Sequence, residues 1–177
     1  MAQVGLKNIY YAEMTSDTAS ATTYATPVKL GNAISVDMNP TVDKNTLYGD
    51  DMAVATNSNL KEITVTIETT EISLAARAAL LGHEFTSDTL IEKSSDLAPY
   101  VALMFESETH DGNILCVKLV KGKFTLTQET INTRGETYEY QPPKLEGTFV
   151  SRQSDNQIRL RKLYKAGAST ADWYTSV

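Results

Sequence analysis

One run of residues limits this chain more than any other. Residues 60–70 read LKEITVTIETT. Ile63, Val65 and Ile67 alternate with Glu62, Thr64, Thr66 and Glu68. A two-residue period of this kind belongs to a strand with one apolar and one polar face. The apolar face has to be covered by a second layer, either sheet or helix. The chain also holds 23 threonines and nine tyrosines, residue types that sit well on a pleated surface.

Further strand-like segments lie at 6–12, 28–38, 100–105, 114–120, 123–129, 137–140 and 145–150. Within 28–38, Ile34, Val36 and Met38 alternate with Ser35 and Asp37, and Pro40 is expected to end the strand. Gly122 predicts a bulge or bend between two of the segments. Residues 73–81 (SLAARAALL) predict the chain's one short α-helix. Ser73 can cap its start and Gly82 can close it in the left-handed conformation. Leu74, Ala78 and Leu81 form its expected apolar stripe. Residues 16–26 read as a loop. Residues 39–59 are polar without a clean period and read as a long projecting loop. The expected fold is mainly β with one short α-helix: a single domain over 1–177, built as a β-sandwich or barrel.

Charge bounds the function. Sixteen basic against 22 acidic side chains leave a net charge of −6, a poor basis for gripping phosphate backbones. The imbalance is uneven: residues 1–150 carry 11 basic and 20 acidic side chains. Residues 151–177 carry Arg152, Arg159, Arg161, Lys162 and Lys165 against Asp155 and Asp172. A basic tail on an acidic body suits self-association, although a solvated strand with a biased composition reads the same way. The lone Cys116 excludes an internal disulfide and lies in an apolar run, as a small buried hydrophobe does. No stretch approaches the roughly 20 apolar residues of a membrane helix. Residues 1–5 lack a secretory signal's basic start and apolar core, so the product is expected to stay in the cytoplasm where it is made.

Catalytic patterns are scarce. Tyr48-Gly49-Asp50-Asp51 is similar to the Asp pair of polymerase metal sites, but the chain is too short and too acidic to build a template cleft, and a solvated turn is the favoured reading. His83 and His110 fall in separate turns without metal-ligand spacing. No nucleophile elbow or phosphate-binding glycine loop is present. The sequence therefore reads as a non-enzyme that needs no cofactor. Lys121 and Lys123 read as a charged strand edge. Trp173-Tyr174 either anchors into a partner or folds back on its own core.

Several strings carry a resemblance: GLKNIYYA at 5–12, LYGDD at 47–51, LLGH at 80–83, APYVAL at 98–103, KGKF at 121–124 and LEGTFV at 145–150. Together they resemble the major tail protein (tail tube protein) family of long-tailed, non-contractile bacteriophages. The resemblance implies a β-sandwich or barrel flanked by a helix, and hexameric rings stacked into a hollow tube that conducts the DNA genome during ejection. It also implies tail terminator, distal tail and tape-measure proteins as partners, assembly in the host cytoplasm and a final place in the virion tail. DNA would pass without specific binding, and no membrane would take part. Two alternatives stand beside it. One is the tube protein of a contractile or phage-derived injection particle. The other is a carbohydrate-binding or adhesin-like module using Tyr138, Tyr140 or Trp173.

Under the tube reading, Ser35, Asp37, Glu62, Thr64, Thr66 and Glu68 are expected to face the lumen, on strands drawn from 28–38, 60–70 and 117–150. Asp43, Tyr48, Asp50 and Asp51 of the projecting loop are expected at inter-subunit contacts. Arg159, Arg161, Lys162, Trp173 and Tyr174 of the C-terminal arm join them, the acids meeting the bases of another copy.

Overall fold

The alternating run belongs to a strand much longer than its period predicts. A computed structural model, which describes residues 2–133 and 140–177, places it in a strand over Met52–Thr69. In chain order the described strands are β1 (Gln3–Asp17), β2 (Thr22–Tyr24), β3 (Val28–Gly31), β4 (Ala33–Gly49) and β5 (Met52–Thr69). Helix α1 (Leu74–Leu81) and the small hairpin β6 (Glu84–Thr86) and β7 (Thr89–Ile91) follow. Then come β8 (Val101–Thr109), β9 (Ile114–Thr125), β10 (Lys144–Phe149) and β11 (Arg159–Tyr164), with a 3-10 turn at Ala171–Tyr174.

The protein is mainly β with one short α-helix, and its main sheet is open and sandwich-like. The strand order is β2-β1-β8-β9-β10-β5-β4, antiparallel throughout. β3 pairs with β1, and β11 pairs with β9 over 114–119, in line with β10 over 122–125. The sheet does not close. The start of β1 and the start of β4 face each other across a groove lined by Leu6, Val36, Met38, Phe105 and Val117.

Ile63, Val65 and Ile67 are fully buried, as their alternation predicts. They join one cluster with Ile9, Leu103, Phe105, Leu119, Phe124, Leu145 and Phe149. Helix α1 covers the cluster with Ala76, Leu80 and Leu81. Ser73 Oγ accepts from the Ala76 N–H at 3.1 Å, and Gly82 (φ 75°) donates its N–H to Ala78 O at 2.8 Å, so both predicted caps form. The predicted stripe is off by one member: Leu74 is half-exposed, because the chain enters the helix from the solvent side. Gly122 adjoins the expected irregularity, since the pairing of β9 with β8 shifts register between Leu119 and Gly122, and it is also a close-approach site. It sits opposite Phe149 in β9–β10, while Gly147 sits opposite Phe124. The two rings meet edge to face at 5.9 Å, and a Cβ on Gly122 would lie 2.4 Å from the Phe149 ring.

Several boundaries differ from the expectations. Pro40 does not end its strand. β4 is the sheet's edge, where a missing N–H that faces outward removes no ladder bond. The expected loop at 39–59 is instead the outer half of the β4–β5 hairpin. Residues 28–31 pair with β1 and not with the strand that follows them. Residues 16–26, expected as a loop, hold the end of β1, a tight turn at 18–21 and the short strand β2. β11 lies inside the basic C-terminal segment, which agrees with its alternative reading as a solvated strand of biased composition. The strand expected at 137–140 falls, apart from Tyr140, outside the described residues.

Candidate functional site

Three surfaces gather the residues singled out by the sequence. The first is a polar wall. β9, β10, β5 and β4 lie side by side with their core faces buried and their outer faces in water. Direct cross-strand partners share a face. The pairs Ser35–Glu68, Asp37–Thr66 and Asn39–Thr64 therefore lie on one surface with Glu62. The wall thus brings together all six expected lumen residues. β10 and β9 add Lys144, Glu146, Thr148, Lys123 and Thr125, which the sequence reading missed. They follow from the same alternation once β10 is placed beside β5. Ser35 Oγ donates to Glu68 Oε2 at 3.3 Å, and Lys144 Nζ lies 3.9 Å from the same oxygen. The wall carries Asp37, Glu62, Glu68 and Glu146 against Lys123 and Lys144, a net charge of −2. Lys123 is in the sheet interior, over the Tyr100 ring at 4.5 Å, and not on an edge.

The second surface is the hairpin arm. β4 and β5 continue as a two-stranded ribbon beyond Glu62, with bulges between Thr41 and Val42 and between Leu47 and Tyr48. Asp50 (φ 49°) and Asp51 (φ 57°) form its tip. Two consecutive left-handed residues make the primed turn that fits a hairpin's twist, and Asp tolerates that region. The Tyr48-Gly49-Asp50-Asp51 string is therefore a turn. Among the described residues no group of three or more His, Cys, Asp or Glu could hold a metal ion. Leu47, Tyr48, Met52 and Val54 are 66, 70, 71 and 66% exposed. A ribbon with water on both faces has no reason to alternate, which is why its period was unreadable. Asp43 lies on the arm's continuation of the polar wall, opposite Asn59.

The third surface is the C-terminal segment. It does not project as an arm. Arg159, Arg161 and Lys162 sit on β11, whose outer edge pairs with nothing among the described residues. No ion pair joins Asp43, Asp50 or Asp51 to Arg159, Arg161 or Lys162 within the described residues of one chain. Instead Lys162 Nζ lies 3.3 Å from Asp172, and Arg152 makes a two-pronged pair with Asp155 at 2.8 and 2.7 Å. Trp173 and Tyr174 pack on the chain's own sheet, the second of the two arrangements open to them. Tyr174 stacks on Tyr10 at 4.6 Å, and Lys118 Nζ lies 4.4 Å from the Trp173 ring centre.

The remaining reactive groups are occupied structurally. His83 is buried with Nδ1 2.8 Å from Asp96 Oδ2, and its backbone N–H donates to Ala78 O at the helix end. The His83 bond holds the Asp96 carboxyl below its usual range. His110 is exposed beside Asp111. Burial pushes the Cys116 thiol up to about 11, so it is no thiolate at neutral pH. Of the aromatic platform, Tyr140 is 93% exposed, Trp173 is half-buried under its own chain, and Tyr138 lies outside the described residues. No described helix is long and apolar enough to cross a membrane. No protein-family model matches the chain, and no curated protein matches it.

Proposed function

We propose that this chain is the subunit of a tail tube of the long-tailed, non-contractile bacteriophage type. Hexameric rings of it stack into a hollow conduit for the genome. The observation that carries the reading is the β4–β5 arm. Its tip holds four large apolar side chains in water, and a monomer leaves such a surface exposed chiefly where another molecule covers it. A two-stranded ribbon is marginally stable by itself. Seating on the next ring supplies the missing layer. The outer edges of β4 and β11, unpaired among the described residues, support side-by-side joining, since an open edge is a template for a neighbouring strand. Front-to-back contacts of this kind close into rings when the rotation permits.

The polar wall suits the bore. Genome DNA carries one negative charge per roughly 1.7 Å of axis. A surface of hydroxyls and a slight excess of carboxylates gives that charge nothing to hold, so the polymer slides. The core face of the same strands is buried in the hydrophobic cluster, with helix α1 against β9, which leaves the outer face free to line a channel. In this role the chain performs no catalysis. Its partners are further copies of itself, the terminator and distal tail proteins at the tube's ends, and the tape-measure protein within.

Negative-stain electron microscopy of the concentrated protein tests the reading. Rings or tubes with an open bore are the expected result. A population that stays monomeric at high concentration and binds glycans overturns it.

A further inference from the structure

Residues 165–177 lie as a strap across the sheet face that points away from the core. Cross-strand pairing sets that face in two rows. Tyr10, Met104, Lys118 and Leu160 form one, and Glu106, Cys116 and Lys162 the other. The strap touches every strand of the set. Tyr174 stacks on Tyr10 of β1, and Thr170 Oγ1 and Tyr174 OH donate to Glu106 of β8 at 2.9 and 3.3 Å. Lys118 Nζ of β9 donates to Ser176 O at 2.6 Å beneath the Trp173 ring. Asp172 accepts from Tyr164 OH at 2.9 Å and from Lys162 of β11.

Two properties separate this cover from a permanent core layer. First, it hides charge. Glu106 and Lys118 are each 6% exposed; the strap donates to Glu106 Oε2 and accepts from Lys118, while Asn8 of β1 donates to Glu106 Oε1 at 2.6 Å. When the strap lifts, water takes over that role, so opening does not strip a purely apolar face. No residue of the 3-10 turn is itself buried. Trp173 Nε1 is shielded and meets no acceptor among the described residues, so the closed state leaves this donor unmet by them. Burial lowers the Lys118 ammonium to about 8, which also marks the closed state as imperfectly compensated. Second, the connection is a short exposed turn, held by the Ala168 N–H on Lys165 O at 3.0 Å and the Ala166 N–H on Asn113 Oδ1 at 3.2 Å. Residues 165–169 (KAGAS) are exposed, and Gly167 (φ 79°) stands in open space. Those residues extended span about 17 Å. They leave from β11, the strand with a free edge.

Every copy carries both strap and face, so a strap can seat on a neighbour with the same contacts it makes at home. We propose that residues 165–177 are an exchangeable strap that, on assembly, seats on the Tyr10–Glu106–Lys118 face of a second copy. The inference rests on the reading of the chain as a self-assembling subunit.

The test uses unaltered chains. Isotopically light and heavy protein are mixed as monomers, allowed to assemble, and treated with a zero-length carbodiimide. This reagent joins Lys162 to Asp172, which lie 3.3 Å apart. Digestion at Lys165 separates the two linked peptides for mass spectrometry. Exchange predicts light–heavy linked pairs beside same-label pairs in the assembled fraction at the proportion of random mixing, whereas the dilute monomer gives same-label pairs alone. Exclusively same-label pairs in assembled tubes overturn the exchange and leave the tube reading standing. Mixed pairs in a small oligomer that never forms rings or tubes support the exchange and overturn the tube.

Discussion

Replacing the arm's tip side chains separates assembly from folding. Leu47→Ser, Tyr48→Ser, Met52→Ser and Val54→Ser, made together, remove four apolar groups that are about two-thirds exposed in the free chain. Full burial of such a side chain contributes about 1.5–3 kcal/mol. With two-thirds of the surface still in water, each can add about 1–2 kcal/mol on docking, or roughly 4–8 kcal/mol for the four. Every 1.4 kcal/mol is a factor of about ten, so the concentration needed for assembly should rise at least about a thousandfold. The same substitutions break little within the folded subunit, and exposed sites of this kind shift stability by about 0.5 kcal/mol or less each. Sedimentation velocity across a concentration series measures the first effect and thermal melting the second. A variant that assembles at the wild-type concentration refutes the role given to the tip. A variant that melts far below wild type shows that the tip packs on its own subunit.

Other consequences follow from the same geometry. Gly122→Ala pushes a methyl group into the buried Phe149 ring, which Phe124 holds from the side, and should cost roughly 1–3 kcal/mol in urea denaturation; an unchanged midpoint removes the close-approach account. The Arg152 pair holds the Asp155 carboxyl below its usual range, and the Tyr164 hydroxyl does the same for Asp172. Both depressed carboxyls bind protons more readily in the unfolded chain, so their contribution is complete above about pH 4 and is lost as pH falls through the lower folded values. Melting temperature should drop on acidification below about pH 4, less steeply in Asp155→Asn; an equal slope in that variant rules out the Arg152 pair as a source. Glu62→Lys with Glu68→Lys turns the wall from a net charge of −2 to +2. Tubes of this double variant should form and release DNA slowly in an ejection assay, and release at the wild-type rate contradicts the sliding wall.

The parts of the fold that were legible in the sequence are those where one face is buried and the other wet. Ile63, Val65 and Ile67 announce their face by alternation, and the Ser73 and Gly82 caps mark the helix ends because each supplies a conformation or acceptor that few residues can. The wall residues on β4 and β5 were readable for the same reason. The arm was not, because residues 41–60 pack on nothing in the single chain and hydrophobic period is a record of packing. β8 is covered on both faces, so 100–105 reads as a continuous apolar run, and the strand's continuation through Glu106 to Thr109 was hidden. Asn8, with φ 54°, bulges β1 and made one strand look like a short fragment. β11 was legible only as one of two alternatives, a solvated strand or a basic tail, because Arg159, Arg161 and Lys162 line an edge strand whose two faces differ little in polarity. The strap's contacts span residues far apart in sequence, Glu106 with Thr170 for example, and no local pattern encodes them.

A cryo-electron-microscopy reconstruction of the assembled particle bears most directly on the whole account. The predicted map has the β9–β10–β5–β4 outer face lining an open bore, with hydroxyl and carboxylate side chains on its surface and the 41–60 ribbon crossing onto the adjoining ring. A map in which that face points outward, or in which the ribbon folds back on its own subunit and every sheet edge is covered within one chain, contradicts it.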